Sequence, residues 1–197
     1  MDEIRLISGT DYYDKKIIRT DLTELILDKS RFSDCEFCNC DFSQVSLKNC
    51  RFANCFFRMC NLSNALIDGC RMDGVLFEEC KMIGLNFSNC DTRLGFDINI
   101  RECNILLCHF SDLDMKRSCF KESVIHQSSF DFSDLRDADF SGSDLKDCQF
   151  GNADLRGADL RDARNYNINP MSAKVKGARF SIPEVLELLK YFEIIIE

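Results

Sequence analysis

Cys35, Cys38 and Cys40 form a C-x-x-C-x-C cluster whose spacing would suit a thiolate metal site. With 13 Cys in 197 residues, metal, redox or disulfide chemistry is the first question. Nucleophilic catalysis would need a base beside a thiol or hydroxyl. The chain has only two His, His109 and His126, far apart in sequence. No G-x-G-x-x-G or other phosphate-cradling glycine run occurs. Serines do recur at 118, 123, 128, 133 and 143, but at an interval no catalytic motif requires.

That interval belongs to the whole chain. From Ile17, every fifth residue is large and apolar: Leu22, Leu27, Phe32, Phe37, Phe42, Leu47, and so on without exception to Phe87. Thr92 breaks the run, and a new phase carries it from Ile100 to Leu160. Most of the 17 Phe lie in this register. A second register, two residues earlier, is small: Cys35, Cys40, Val45, Cys50, Cys55, later Ser118, Ser123, Ala153 and Ala158. All but two of the 13 Cys fall there, the exceptions being Cys38 and Cys119.

Neither regular secondary structure accommodates a period of five. On a helix successive Phe would step by roughly 140° and visit every face. On a flat strand an odd period sends them to alternate faces. Both registers point inward only if the chain turns a corner every five residues in the same sense. Four corners close a square coil of 20 residues, and stacked coils bury a column. The expected fold is therefore all-β, a quadrilateral β-helix of seven coils over residues 17–163, roughly 34 Å long at ~4.8 Å per coil.

The wall of such a coil separates the candidate metal ligands. Cys35 and Cys40 face the core while Cys38, after a centre Phe, faces out, so no metal or cofactor is expected. Stacked pairs such as Cys35 and Cys55 would hold parallel Cβ atoms ~4.8 Å apart, beyond the ~3.8 Å a disulfide prefers. The thiols read as small apolar fillers. The opening Met1-Asp2-Glu3-Ile4-Arg5 carries acid where a signal peptide would carry base, and no long apolar run follows. A cytoplasmic, non-enzymatic protein with reduced thiols and no membrane contact is expected.

Ala138-Asp139-Phe140-Ser141-Gly142, Ala153-Asp154-Leu155-Arg156-Gly157 and Ala158-Asp159-Leu160-Arg161-Asp162 resemble the Ala-[Asp/Asn]-Leu-x-x unit of the pentapeptide-repeat family. The resemblance implies a right-handed β-helix. The overall plan is similar to the Qnr-type and mycobacterial fluoroquinolone-resistance proteins and the gyrase-poison immunity proteins. That similarity implies a homodimer binding DNA gyrase or topoisomerase IV, with quinolone or other gyrase-poison resistance as its role. The long projecting loops of the Qnr-type proteins have no counterpart here: Ile100 follows Phe87 by thirteen positions where ten would keep phase.

The interruption near 91–98 admits two readings, a bulge absorbing about three extra residues or a contact loop exposing Arg93 and Phe96. Residues 1–16 are expected to cap one end. At the other, 164–197 should form an exit turn, a helix over 182–192 capped by Ser181 with Glu184, and a short strand. Val185, Leu186, Leu188, Leu189, Phe192, Ile194 and Ile196 then serve a homodimer interface or an intramolecular cap.

Charge is the remaining functional signal. The chain has 33 Asp+Glu against 25 Lys+Arg, a formal charge of −8, and is a poor candidate for binding nucleic acid directly. Residues 131–162 concentrate the acid: Asp131, Asp134, Asp137, Asp139, Asp144, Asp147, Asp154, Asp159 and Asp162, against Arg136, Lys146, Arg156 and Arg161. Over roughly 8 Å of rod this approaches the ~1.7 Å per charge of duplex DNA. An acidic face imitating DNA toward a type II topoisomerase is the favoured reading. The alternative is a scaffold with an unrelated protein partner, its aspartates before the centre residue serving corners and solubility.

Overall fold

The computed structural model describes residues 5–194. Within it the chain is a parallel β-solenoid of about eight turns with four flat faces. Each five-residue unit has one plan. The centre residue points inward, its two neighbours point out, the next takes a positive φ to turn the corner, and the small residue after it points in again. Asp34, Asn39, Gln44, Asn49 and Asn54 turn successive corners at φ 54°, 54°, 58°, 57° and 51°. Asx residues tolerate this region better than other side chains, which accounts for their abundance there.

Strands 11–13, 31–33, 51–53 and 71–73 stack in parallel on the first face, with Tyr12, Phe32, Phe52 and Met72 in register. The second face stacks Ile17, Phe37, Phe57, Phe77 and Ile100. Single bridges such as Asp41–Asn61 and Ser46–Leu66 continue the ladder on the other two faces. Phe37, Phe57 and Phe77 are buried, with successive ring centroids 4.7 and 5.0 Å apart and nearly coplanar rings. Phe110, Phe130 and Phe150 repeat the arrangement on the fourth face at 4.9 and 5.2 Å. Stacked rings bury large apolar areas, and this column is the core.

The solenoid is longer than the uninterrupted register. Tyr12 stacks on Phe32 at 5.0 Å, so residues 11–16 belong to a turn. Residues 164–180 form another turn, bridging Arg164 to Asp144, Lys174 to Asp154 and Arg179 to Asp159. Its register slips: Tyr166 and Ile168 turn inward, while Asn165 takes φ 57° outside. Backbone pairing needs only a side chain that fits the end of the column, not the strict interval.

Pairs are 20 residues apart as far as Asn61–Lys81, 23 apart across the interruption, as in Phe77–Ile100 and Met82–Ile105, and 20 apart again from Asn104–Val124. The three extra residues form a tight excursion on the first face, where the Gly95 N–H donates to the Thr92 carbonyl at 2.9 Å and Gly95 adopts φ 109°. Phe96 is not an exposed contact. It packs on the core, edge-on to Phe87 at 6.4 Å, and replaces the centre residue that Thr92 fails to provide. Leu94 is the projecting residue, 80% exposed.

The C-terminal helix spans Glu184–Phe192 and is wound as a 3-10 helix. Ser181 does not cap it. Its hydroxyl accepts from the Asp162 N–H at 3.0 Å and donates to the Asp162 carboxylate at 3.2 Å, because Ser181 directly follows the last paired strand. Three residues per turn align Val185 with Leu188, which pack on the core, and carry Phe192 outward. The expected apolar interface is therefore divided. Val185 and Leu188 pack inward with Leu189 half-buried, Leu186, Phe192 and Ile194 are exposed, and Ile196 lies outside the described residues.

Candidate functional site

The nine aspartates of residues 131–162 do not share a face. Asp134 and Asp154 lie on the first face, Asp139 and Asp159 on the second, Asp144 on the third and Asp131 on the fourth. Asp137, Asp147 and Asp162 occupy three different corners at φ 58°, 59° and 59°. The reason is arithmetic: aspartates five apart advance one face, and only those 20 apart stack.

Four of the nine are engaged by cations. Asp134 holds Arg136 at 2.8 Å and Lys116 at 3.2 Å, and Asp154 and Asp159 hold Arg156 and Arg161 in the same way. Asp144 lies 3.1 Å from Arg164 and 3.3 Å from His126, and accepts from Asn165 at 2.9 Å. Hydrogen bonds from Arg136 hold the Asp134 carboxyl down at about 2, and those from Arg156 and Arg161 depress Asp154 and Asp159. Burial pushes Asp144 up, but Asn165 and Arg164 outweigh it and the net shift is downward.

These contacts also hold the backbone. In each Asp-x-Arg unit the carboxylate accepts the Arg N–H as well as the guanidinium, at 3.3 Å in Asp154–Arg156 and 3.1 Å in Asp159–Arg161. Asp41–Ser43 and Asn61–Ser63 make the same local turn with a hydroxyl. Asp131 accepts the Gly151 N–H at 2.6 Å. The exposed carboxylates left for a partner are Asp137, Asp147 and Asp162.

Cys35 and Cys40 are buried on the core side, and Cys38 is half-exposed on the other side of the wall. Among the described residues, no group of three or more His, Cys, Asp or Glu is placed to hold a metal ion, and no helix is long and apolar enough to cross a membrane. Arg93 is 80% exposed in its side chain yet pairs with Asp91 at 2.8 Å.

Two columns escaped a linear tally of charge. Glu79, Glu102 and Glu122 turn successive corners between the second and third faces. Arg31, Arg51 and Arg71 lie directly opposite one another on the first face. Reading the sequence in steps of 20, with 23 across the interruption, would have exposed both.

The pentapeptide repeat region model matches residues 30–95, and the pentapeptide repeats (8 copies) model matches residues 125–162. Together they cover more than half of the chain, which belongs to the pentapeptide-repeat family. Full-length QnrB1, a plasmid-mediated fluoroquinolone resistance protein, superposes with a TM-score of 0.59 at 14% identity, covering 93% of this chain and 100% of its own. A trypsin-treated variant of QnrB1 gives 0.55 at 17%, covering 100% and 94%. HetL, involved in heterocyst differentiation regulation in the cyanobacterium Nostoc sp. strain PCC 7120, gives 0.56 at 16%, covering 87% and 85%. At these identities the likeness is one of fold. No curated protein matches the sequence.

Proposed function

We propose that this chain is a non-catalytic binding rod whose partner is a type II topoisomerase, DNA gyrase or topoisomerase IV, and that it confers resistance to quinolones or other poisons of that enzyme. The observation supporting this reading is the solenoid shared with QnrB1 over nearly the full length of both chains, on a chain of net charge −8. The contact would use the corner carboxylates Asp137, Asp147 and Asp162, which meet Lys and Arg that otherwise hold phosphates. Such binding weakens steeply with salt.

A supercoiling assay with purified gyrase and a decatenation assay with topoisomerase IV, each with and without a quinolone, test this directly. The expected result is inhibition or drug protection that fades above about 0.2 M salt and falls in the triple variant Asp137→Asn, Asp147→Asn, Asp162→Asn. No inhibition, no protection and no binding at low salt would remove the reading.

The second reading is an interaction module for an unrelated protein. It is favoured by the dispersal of the aspartates over four faces and the neutralisation of four of them. HetL shares the fold to the same degree, so fold likeness serves both readings. Binding to a different protein, indifferent to the three Asp→Asn changes, would decide for the module.

A further inference from the structure

We infer that the first face, ahead of the interruption, carries a binding strip for the phosphates of single-stranded nucleic acid. Arg31, Arg51 and Arg71 occupy the same outward position in consecutive turns, each directly across from the next. Their backbones are about 4.8 Å apart. Like charges directly opposite across a sheet are destabilising, and the same position on the fourth and third faces also carries the neutral Ser46 and Asn61. Lys29 flanks the row at the corner, and Arg93 extends it at the interruption. These residues line an open cleft of about 470 Å³.

The cationic charge is only partly compensated. Arg71 and Arg93 share one carboxylate, Asp91, each at 2.8 Å. Asp11 approaches Arg31 at 3.4 Å with both side chains about two-thirds exposed, a contact of little strength in water. Arg51 has no ion-pair partner among the described residues. Asp73 stands on the same face opposite Ala53. Asp28 and Asp68 lie around the corner on the fourth face, where Asp28 accepts the Lys48 N–H and Asp68 accepts from Asn89. The carboxylates of the third face lie across the core, and salt screens them beyond about 10 Å.

The geometry selects the partner. A line of cations, one per turn along the rod, matches a line of anions, and guanidinium forks suit phosphate oxygens. A flexible single strand adjusts its phosphates to this pitch more readily than a duplex does. Tyr13, 70% exposed, stands on the same face opposite Ser33 and offers its ring to a base. An acidic peptide would use the forks but not the ring. This strip departs from the expectation drawn from net charge. It is independent of the topoisomerase reading, since it shares no residue with the aspartates invoked there.

Fluorescence anisotropy of a labelled twelve-nucleotide oligo-dT with the full chain, over a salt series, tests the inference. Three to four phosphate contacts give a slope of log affinity against log salt of roughly −2 to −3. Arg51→Ala should reduce its magnitude by about 0.7, Arg51→Glu should abolish binding, and Tyr13→Ala should weaken it about fivefold or more. Lys81→Ala on the third face should change nothing, and unchanged circular dichroism melts establish that each variant folds. Absence of binding at 50 mM salt, an unaltered slope in Arg51→Ala, or equal competition by tripolyphosphate or poly-glutamate at matched charge would each overturn it. None of these outcomes bears on gyrase.

Discussion

The turns before and after the interruption share one backbone plan but hold their corners differently. One inward column runs Cys40, Cys60, Cys80, Cys103, Ser123, Ser143. In its first part the Cys60 N–H meets the Cys80 sulfur at 3.4 Å, and the Cys60 thiol lies 3.3 Å from the Phe37 carbonyl. In its second part the Ser123 N–H donates to the Ser143 hydroxyl at 3.1 Å, and that hydroxyl donates to the Phe120 carbonyl at 2.6 Å. Thiols there fill space, whereas hydroxyls bind. The outer surface changes too. On the first face the stacked position is Arg31, Arg51 and Arg71 before the interruption, and Asp114, Asp134 and Asp154 after it. A fixed period constrains only what faces the core, so each half is free to carry its own surface chemistry.

The largest test of the common plan is Phe57→Ala against Phe130→Ala, since each ring is buried between two stacked rings. Both should lose about 3–5 kcal/mol in urea unfolding. A loss below about 1 kcal/mol in either would mean that the two halves are not packed alike. The next effect separates them. Ser143→Ala strips partners from the Ser123 N–H and the Phe120 carbonyl and should cost about 1–3 kcal/mol, more than Cys60→Ala at about 1 kcal/mol. The reverse order would contradict the contrast between hydroxyl and thiol.

Acid should act on both halves, because hydrogen bonds also hold Asp41 and Asp91 below the usual carboxylate range before and at the interruption. Asp134, Asp154 and Asp159 titrate below the unfolded value of ~3.9, Asp134 at about 2. Their contribution is complete above pH ~4 and is lost as pH falls toward 2. Denaturation midpoints should drop across that window, and Asp134→Asn should flatten the drop. Flat stability from pH 4 to 2 would show that these pairs do not stabilise the turns. The smallest perturbation is thiol labelling. Burial pushes Cys55, Cys90 and Cys148 up to about 12, so Ellman's reagent at pH 8 should reach Cys38 and Cys119 first and the remainder only after unfolding. Rapid native reaction of the buried set would show that the columns open.

Much of the core was legible residue by residue. The interval of five named Phe37, Phe57 and Phe77 as one column because inward packing imposes a single side-chain size at each step. The step of thirteen from Phe87 to Ile100, where ten would keep phase, indicated three extra residues. The fate of Phe96 was not legible, since nothing in its neighbours distinguishes an exposed aromatic from one filling the gap left by Thr92. Ser181 illustrates another limit: its sequence context is that of a helix cap, yet Asp162, nineteen residues earlier, takes its hydroxyl.

Period and residue size in the sequence alone determined that the chain coils in fours and buries its phenylalanines, because only a corner every five residues puts both registers inside. Which charges meet was decided by the tertiary structure. Neighbouring aspartates are sent around four faces and into ion pairs, while arginines 20 residues apart are brought into line, because lateral proximity in a solenoid follows the length of a turn and not the order of the chain.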